Sequence, residues 1–302
     1  MKTNVLGIEI DSDKKEVVLE GIKNRLNDGR SIFIVTPYSE MIVAAQKDEE
    51  LKNVLNSADF SLPDGAGVLW AAHYLSLFPS RGLGRDQGRG RTIVKTWYLI
   101  SSLIAIIFNP KSLRDPIPEK ISGSDFVWDL ARLAAERGLS IFLLGGFADT
   151  ARLAAEKLKS RFPNLEIAGT TSPVILPGLA EASRGERHSE GSRDSSSAIA
   201  IGTQNDKIIN EINNSRADFL FVALGPVRQE KWIHENLPKL NAKLAIGLGG
   251  TFDYLAQKRP LAPRFWASGG LEWLWRLLTQ PWRLKRIFRG VFGLIYYCFR
   301  AR

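Results

Sequence analysis

The sequence predicts an α/β fold with a largely parallel sheet flanked by helices, followed by a basic helical C-terminal appendage. Short β-branched or apolar segments alternate with longer helical patterns up to about residue 260, as in βα units. Several of the apolar segments run directly into glycine. The final part of the chain then differs from the rest in charge and tryptophan content.

Buried strands are predicted where β-branched and apolar residues cluster. The predicted strands are residues 31–35, 58–62, 140–144, 165–168, 219–224 and 244–248. Helical patterns fill the intervals, for example at residues 125–137 and 150–161. We therefore expect one α/β domain over residues 1–260.

Glycine follows three of these strands, at Gly145, Gly225 and Gly249. In an open parallel sheet, ligands bind beyond the carboxyl ends of the strands, where turns and helix N-termini offer free N–H groups to phosphate. The pattern predicts a nucleotide-binding cleft. Each glycine can equally be a turn residue that needs a positive φ angle, and both interpretations stay open.

Flexible insertions are predicted at about residues 80–118 and 179–203. The first contains a basic glycine-rich loop, residues 82–90, which follows no strand and is not a dinucleotide fingerprint. It also contains the apolar residues 93–108, a segment shorter than the roughly 20 residues of a transmembrane helix. A helix buried in protein and a helix in a membrane interface are both compatible with it. The second insertion is rich in Ser, Gly, Arg and Glu, which indicates a solvated segment.

The appendage, residues 261–302, concentrates the positive charge. Residues 257–302 contain ten Lys or Arg and one acidic residue, which leaves 31 of each in the rest of the chain. Basic side chains among Trp and Phe suit an anionic membrane surface or a diphosphate, and residues 287–299 add an apolar face. A solvated basic face over a core-packing stripe is the alternative. Nucleic acid would also suit this composition, but the apolar residues 291–299 favour lipid.

Composition also predicts the compartment. The single cysteine, Cys298, excludes a disulfide framework, and the N-terminus lacks the features of a signal peptide. We expect a cytoplasmic protein, peripheral on the inner face of the cell membrane. No Cys/His cluster has zinc spacing, and Asp11-Ser12-Asp13 favours a turn and helix cap over a metal site, so neither a metal nor a cofactor is expected.

Five motifs occur in a fixed order along the chain. They are ADFSLPDG at 58–65, ISGSD at 121–125, GPVRQEKW at 225–232, IGLGGTFD at 246–253 and GLEWLWRL at 270–277. Together they resemble the WecG/TagA/CpsF family, glycosyltransferase family 26, over about residues 32–286.

The resemblance implies a Rossmann-like fold and an inverting, metal-independent glycosyltransferase. Such an enzyme transfers a hexose, of the N-acetylmannosamine type, from a UDP-sugar to a polyprenyl-diphosphate-linked sugar. The product serves the synthesis of cell-surface polysaccharide or teichoic acid. The resemblance also implies that the C-terminal appendage meets the membrane and helps to close the active site.

The resemblance assigns roles to matched residues. Asp64 matches the family's proposed general base, which takes the proton from the acceptor hydroxyl. From its spacing alone, Asp64 could instead cap the helix that begins near Ala66. Together with the glycine turns and the basic appendage, the resemblance gives the predicted substrate-binding residues, which are Thr36, Ser124, Asp125, Gly145, Gly225, Gln229, Glu230, Gly249, Asp253, Arg264, Arg276, Arg283 and Arg286.

Some of these residues have alternative roles. Gln229 and Glu230 would begin a helix that faces the cleft, or form an ordinary first turn in which the helix dipole favours Glu. Asp253 could hold a ribose or base edge, cap a helix, or pair with Lys258. Tyr38 stands where the family carries Asn, so the donor sugar stays undetermined.

Competing functions remain open from sequence alone. A non-catalytic nucleotide-sugar-binding regulator at the membrane would keep the same cleft. A nicotinamide-dependent oxidoreductase is disfavoured because the ordered dinucleotide fingerprint is missing. The sequence is also compatible with a homo-oligomer.

Overall fold

The computed structural model describes residues 1–78, 94, 96–102, 105, 110–172, 194–258, 275, 278–279 and 284–301. The strands are β1 Lys2–Val5, β2 Ile8–Asp11, β3 Ile32–Val35, β4 Phe60–Ser61, β5 Ser140–Gly145, β6 Glu166–Thr171, β7 Phe219–Ala223 and β8 Leu244–Gly247. The helices are α1 Lys15–Asn27, α2 Ser39–Ala45, α3 Glu49–Asn56, α4 Ala66–Leu77, α5 over residues 96–102, α6 Gly123–Arg137, α7 Thr150–Arg161, α8 Asp194–Ser215, α9 Arg228–Asn236, α10 Thr251–Leu255 and α11 Leu284–Arg300. Short 3₁₀ turns lie at Pro110–Leu113 and Leu237–Lys239.

Backbone proximity divides the chain into two compact units. The first comprises Met1–Gly21, Thr36–Ser122 and Ala262–Arg302, as far as these ranges are described. The second comprises Ile22–Val35 and Gly123–Leu261, with the same restriction.

The second unit contains five parallel strands of the sheet, in the order β3-β8-β7-β5-β6. Every residue of β3, β5 and β8 is buried. Continuous apolar strands are expected where helices cover both faces of a parallel sheet. Helices α6 to α10 belong to this unit. The predicted Rossmann-like α/β fold is confirmed.

The predicted strands and helices differ from the observed ones mainly at their ends. Strand β4 has only two residues, fewer than predicted, whereas β6 continues to Thr171. Helix α7 has the predicted bounds, and α6 begins two residues earlier than predicted, at Gly123. In the second insertion, residues 194–203 form the beginning of α8, and residues 179–193 lie outside the described residues.

The first unit is built around helix α4. Strands β1 and β2 form an antiparallel pair in this unit, joined by Leu6 and Gly7, both with positive φ. On α4, the side chains of Trp70 and Tyr74 are completely buried and their rings stack with centroids 5.5 Å apart. An apolar helix buried in this way provides a surface for other helices to pack against.

Helix α11 packs against α2 and α4 at positions where it has small side chains. A Cβ atom added at Gly293 would lie 2.8 Å from Val43 Cγ1, and one added at Gly290 would meet Glu40. Cys298 is also on the packed face, and burial raises the pKa of its thiol to about 12. The described part of the predicted appendage therefore contributes to the core of the first unit.

Helix α5 also packs against α4. The indole Nε1 of Trp70 donates a hydrogen bond to Ser102 Oγ at 2.9 Å. The hydroxyl of Tyr98 lies 2.7 Å from His73 Nε2, and its ring is 6.4 Å from that of Tyr74. Among the described helices, none combines the length and apolar character that a membrane crossing needs.

Candidate active site

Asp64 lies in the turn between β4 and α4, and backbone hydrogen bonds hold this turn in place. The Asp64 N–H donates to the Pro37 carbonyl at 3.0 Å, and the Ile121 N–H donates to the Pro63 carbonyl at 2.9 Å. The N-cap residue of α4 is Gly65, with a φ of 106°. The interpretation of Asp64 as the cap is therefore wrong, because Asp64 lies one residue before the cap position.

Thr36 is close to Asp64 through the same backbone contact. It is a buried polar residue, 7% exposed, and it directly precedes Pro37, which accepts the Asp64 N–H. Tyr38 is the N-cap residue of α2. The structure thus brings Thr36, Tyr38 and Asp64 into one region of the first unit.

The three predicted glycine turns lie side by side in the second unit. Strands β5, β7 and β8 are neighbours, with Gly145 paired to Ala223 and Val222 paired to Gly247. The φ angles of Gly145, Gly225 and Gly249 are 106°, 92° and 47°. These positive angles confirm the conformational interpretation of the three glycines, and this interpretation is compatible with a binding role.

Strands β5 and β7 form a topological switch point. The chain passes from β5 to β6 on one side of the pair, and from β7 to β8 on the other side. Ligands of open parallel sheets bind in the crevice that such a reversal opens at the carboxyl ends of the strands. The second unit therefore has the strand order that a nucleotide-binding cleft at Gly145 and Gly225 would need, and the cleft itself stays a prediction.

Gln229 and Glu230 lie in the first turn of α9 and are both buried, with exposures of 4% and 0%. Gln229 Oε1 accepts the Gly249 N–H at 3.0 Å, and Gln229 Nε2 donates to Glu230 Oε1 at 2.7 Å. A Cβ atom at Gly247 would lie 2.8 Å from Glu230 Oε1, so a glycine there leaves room for the carboxyl group. These side chains connect α9 to the turn between β8 and α10.

The carboxyl group of Glu230 is the acid of this cluster, and its pKa is strongly shifted. Burial raises its pKa to about 7, although the hydrogen bond from Gln229 acts in the opposite direction. Its Oε2 atom has no hydrogen-bond partner among the described residues. Because a charged oxygen without a partner is costly to bury, the environment favours the protonated form.

The sequence predicted Gln229 and Glu230 on a cleft-facing helix or in an ordinary first turn, and did not predict their burial. Gly247 was also missed as a member of this cluster. A glycine in a strand often marks a close approach by another group. Gly247, the last residue of the buried strand β8, was the available signal.

Other predicted residues lie elsewhere in the second unit. Ser124 and Asp125 are in the first turn of α6, where Asp125 is exposed. Asp253 is the third residue of α10 and is partly exposed. The ammonium group of Lys258, the alternative partner of Asp253, donates to Asp149 Oδ1 at 2.5 Å, and this hydrogen bond lowers the pKa of Asp149.

The predicted arginines fall largely outside the described residues. This is the case for Arg264, Arg276 and Arg283. Arg286 is the third residue of α11, and only its backbone is described.

The Asp-x-Asp sequence near the N-terminus has structural contacts. A turn was predicted here, but Asp11 is the last residue of β2. Its Oδ2 atom accepts a hydrogen bond from the Ser61 N–H at 2.6 Å. Burial raises the pKa of Asp11. Asp13 precedes α1 and pairs with the N-terminal ammonium group of Met1. Across the described ranges, no group of three or more His, Cys, Asp or Glu side chains is arranged to hold a metal ion.

Comparison with known proteins identifies the family. The model of the glycosyl transferase WecG/TagA/CpsF family matches residues 3–86 and 91–302. The chain belongs to this family. The match covers all five motifs and both units.

Named relatives share moderate identity with this WecG/TagA/CpsF family member over most of its length. An N-acetylglucosaminyldiphosphoundecaprenol N-acetyl-beta-D-mannosaminyltransferase of Bacillus spizizenii is 27% identical over 92% of this chain and 83% of its own length. A protein of the same name from Bacillus subtilis is 28% identical over 86% of this chain and 75% of its own length. Another, from Staphylococcus aureus, is 22% identical over 95% of this chain and 88% of its own length.

Proposed function

We propose that this protein is an inverting, metal-independent glycosyltransferase of cell-surface polysaccharide or teichoic acid synthesis. Its donor is a UDP-sugar carrying a hexose of the N-acetylmannosamine type, and its acceptor is a polyprenyl-diphosphate-linked sugar. The observation that carries the proposal is the family match along nearly the whole chain. The names of the relatives support the sugar and the lipid-linked acceptor.

Asp64 is the proposed general base. In an inverting transfer, the base removes the proton from the acceptor hydroxyl, whose oxygen attacks the anomeric carbon while the bond to the diphosphate oxygen breaks. The hydrogen bonds from Asp64 to Pro37 and from Ile121 to Pro63 restrict the backbone around this carboxylate. Such restriction supports the role because general bases need a fixed position relative to the reacting proton.

The turns after β5, β7 and β8 are the proposed site of the UDP group. Their glycines permit close approach of the diphosphate to backbone N–H groups. Gln229 supports this site because its hydrogen bond fixes the Gly249 backbone. We further propose that Ser124, Asp125 and Asp253 contact the substrates.

The charge of the departing UDP needs compensation. We propose that Arg264, Arg276, Arg283 and Arg286 of the appendage provide it without a metal ion, as expected for cations placed near a developing anion. The same appendage would bring the enzyme to the cytoplasmic face of the membrane, where a polyprenyl-linked acceptor resides.

A donor panel tests the proposal directly. Wild-type protein, Asp64→Asn and the control Glu49→Gln are assayed with several UDP-sugars and a short-chain lipid-diphosphate N-acetylglucosamine acceptor, first without metal and then with Mg²⁺. Glu49 suits the control because its side chain is 78% exposed and lies in the same unit. We expect metal-free transfer, full turnover by the control, and a loss of about 10²-fold or more in Asp64→Asn.

Other outcomes would separate the parts of the proposal. Full turnover by Asp64→Asn would reject the assigned base, and an absolute need for Mg²⁺ would reject metal independence. Retention of the donor's anomeric configuration in the product, measured by NMR, would reject inversion. Binding of UDP without transfer from any donor would favour the non-catalytic regulator.

A further inference from the structure

Two helices of the first unit have exposed apolar side chains. On α11, the exposed face carries Leu284, Phe288, Val291, Phe292 and Tyr296, and Phe292 is 58% exposed. These positions recur at intervals of three and four residues, so they lie on one side of the helix. The opposite side of α11 is the one that packs against α2 and α4.

Helix α5 and the helical residue before it have the same two-sided arrangement. Tyr98 and Ser102 face α4, where they contact His73 and Trp70. Val94, Trp97 and Ile100, spaced by three residues, are exposed, and Trp97 is 74% exposed. A large aromatic side chain with this exposure has no core-packing role in the described structure.

Both helices are attached to the same helix, α4. Tyr74 of α4 contacts the ring of Tyr98 on α5. The same residue is close to Cys298 of α11: burial raises the pKa of Tyr74 to about 12, and Cys298 contributes to the increase. The apolar faces of α5 and α11 are thus parts of one packed unit and not independent extensions.

Basic residues accompany both faces in the sequence. Residues 79–95, which lead into α5, contain five Lys or Arg and one acidic residue. Residues 284–302, which contain α11, have five Lys or Arg and no acidic residue. An apolar helix face with neighbouring cations binds the interface of an anionic bilayer, because the apolar side chains enter the interface while the cations attract the headgroups.

We propose that α5 is a second membrane-contacting helix and that it acts together with α11 to dock the first unit on an anionic lipid surface. The occupant of both faces is the bilayer interface. The proposal deepens the proposed membrane partner and rests on that part of the proposed function. It does not depend on the identity of the transferred sugar.

Vesicle sedimentation tests the role of each helix. Wild type, Trp97→Ser, Phe292→Ser and the double variant are mixed with vesicles of phosphatidylglycerol and phosphatidylcholine. The control is Val17→Ser, since Val17 is an apolar residue of the first unit that is 56% exposed on α1. We expect each test variant to bind about tenfold more weakly than wild type and the double variant to bind more weakly than either, because the lost apolar contact areas are separate. The control should bind like wild type.

Several results would overturn the proposal. If Trp97→Ser binds vesicles as well as Val17→Ser does, α5 makes no membrane contact. If Trp97→Ser converts a dimer into a monomer in sedimentation velocity and leaves vesicle binding unchanged, a second copy of the chain covers the face instead. Circular dichroism and thermal unfolding verify that each variant is folded.

A water-soluble acceptor separates this proposal from the proposed enzymatic function. Trp97→Ser should turn over such an acceptor at the wild-type rate, because the acceptor does not require the membrane. Absence of transfer by every protein, together with vesicle binding that the variants weaken, would reject the enzymatic proposal and keep the docking surface.

Discussion

The amide of Gln229 joins two elements of the second unit, since its oxygen accepts the Gly249 N–H and its nitrogen donates to Glu230. A neutral carboxyl group can accept this hydrogen bond without the cost of a buried charge. Glu230 is therefore well suited to orient Gln229 while it remains protonated. This role is one of positioning, because Glu230 is completely buried.

The protonation of Glu230 should make stability depend on pH. Its folded-state pKa of about 7 exceeds the ordinary value of 4.5, so the folded chain binds more protons between these two pH values. The resulting stabilisation is complete below about pH 4.5 and is lost as the pH rises to about 7. We expect the Tm of wild type to fall over this window relative to the Tm of Glu230→Gln, which cannot titrate there.

Two further variants make this measurement specific. Glu235→Gln removes an exposed carboxylate from the same helix and should keep the wild-type pH dependence. Glu230→Ala removes the acceptor of Gln229 and should lower the free energy of unfolding by about 1–3 kcal/mol below about pH 4.5. This difference from wild type should shrink as the pH rises, because alanine cannot titrate. Parallel curves of Tm against pH for wild type and Glu230→Gln would contradict the assignment.

The sequence could predict some of these residues and not others for a physical reason. Gly145 and Gly225 were predictable because a glycine at the end of a continuous apolar segment is a local signal. The burial of Glu230 depends on the space left by Gly247 on a strand distant in sequence. The spacing of residues near Glu230 contains no information on that contact. From sequence alone, Glu230 was therefore compatible with an exposed acid that the helix dipole stabilises in the first turn.

Helix α11 depends on glycine for its close approach to α2. The Gly293 position faces Val43, and the Gly290 position faces Glu40. Side chains at either position would move α11 away from its present contact. The geometry of the apolar face on the opposite side of α11 therefore depends on these two glycines.

A double-mutant cycle should show this dependence. Gly293→Ala improves helix propensity by about 1 kcal/mol, yet we expect it to destabilise the protein by about 1–3 kcal/mol because the new methyl group meets Val43. Val43→Ala removes the obstructing atoms. Gly293→Ala should then be neutral or stabilising in the Val43→Ala background, as measured by thermal unfolding.

The same cycle can reject this packing model. If Gly293→Ala has equal effects in the two backgrounds, Val43 and Gly293 do not interact. Vesicle binding by the same variants reports whether a shift of α11 also changes membrane docking.

At the level of elements, prediction succeeded where the sequence signal was continuous. Strands β5, β7 and β8 were predictable because strands buried on both faces consist of adjacent apolar residues. The strand predicted at residues 58–62 contains β4, but β4 has only two residues, so its position was predictable and its length was not. Residues 194–203 resembled a solvated segment by composition, but they extend α8, and extending an existing helix is less costly than starting one.

The charge of the whole molecule is unevenly distributed. The net charge of +9 originates in residues 257–302, where only Glu272 is acidic. On the described part of this segment, Arg289 and Arg300 are exposed. A charge excess confined to one region favours binding to an anionic surface in one orientation, because attraction acts on that region alone.

Salt should therefore weaken the docking of wild-type protein to anionic vesicles. The screening length falls from about 10 Å at 0.1 M salt to about 3 Å at 1 M, so the basic residues lose attraction to the headgroups while the apolar contacts remain. We expect at least a tenfold loss of binding over this range, measured by vesicle sedimentation. Arg289→Gln should weaken vesicle binding about fivefold at low salt, equivalent to about 1 kcal/mol, and almost not at all at high salt.

The control is Arg30→Gln, which changes an exposed arginine of the second unit and should leave vesicle binding unchanged. Salt-independent binding, or equal losses in the two variants, would instead indicate that the basic residues are an ordinary solvated face.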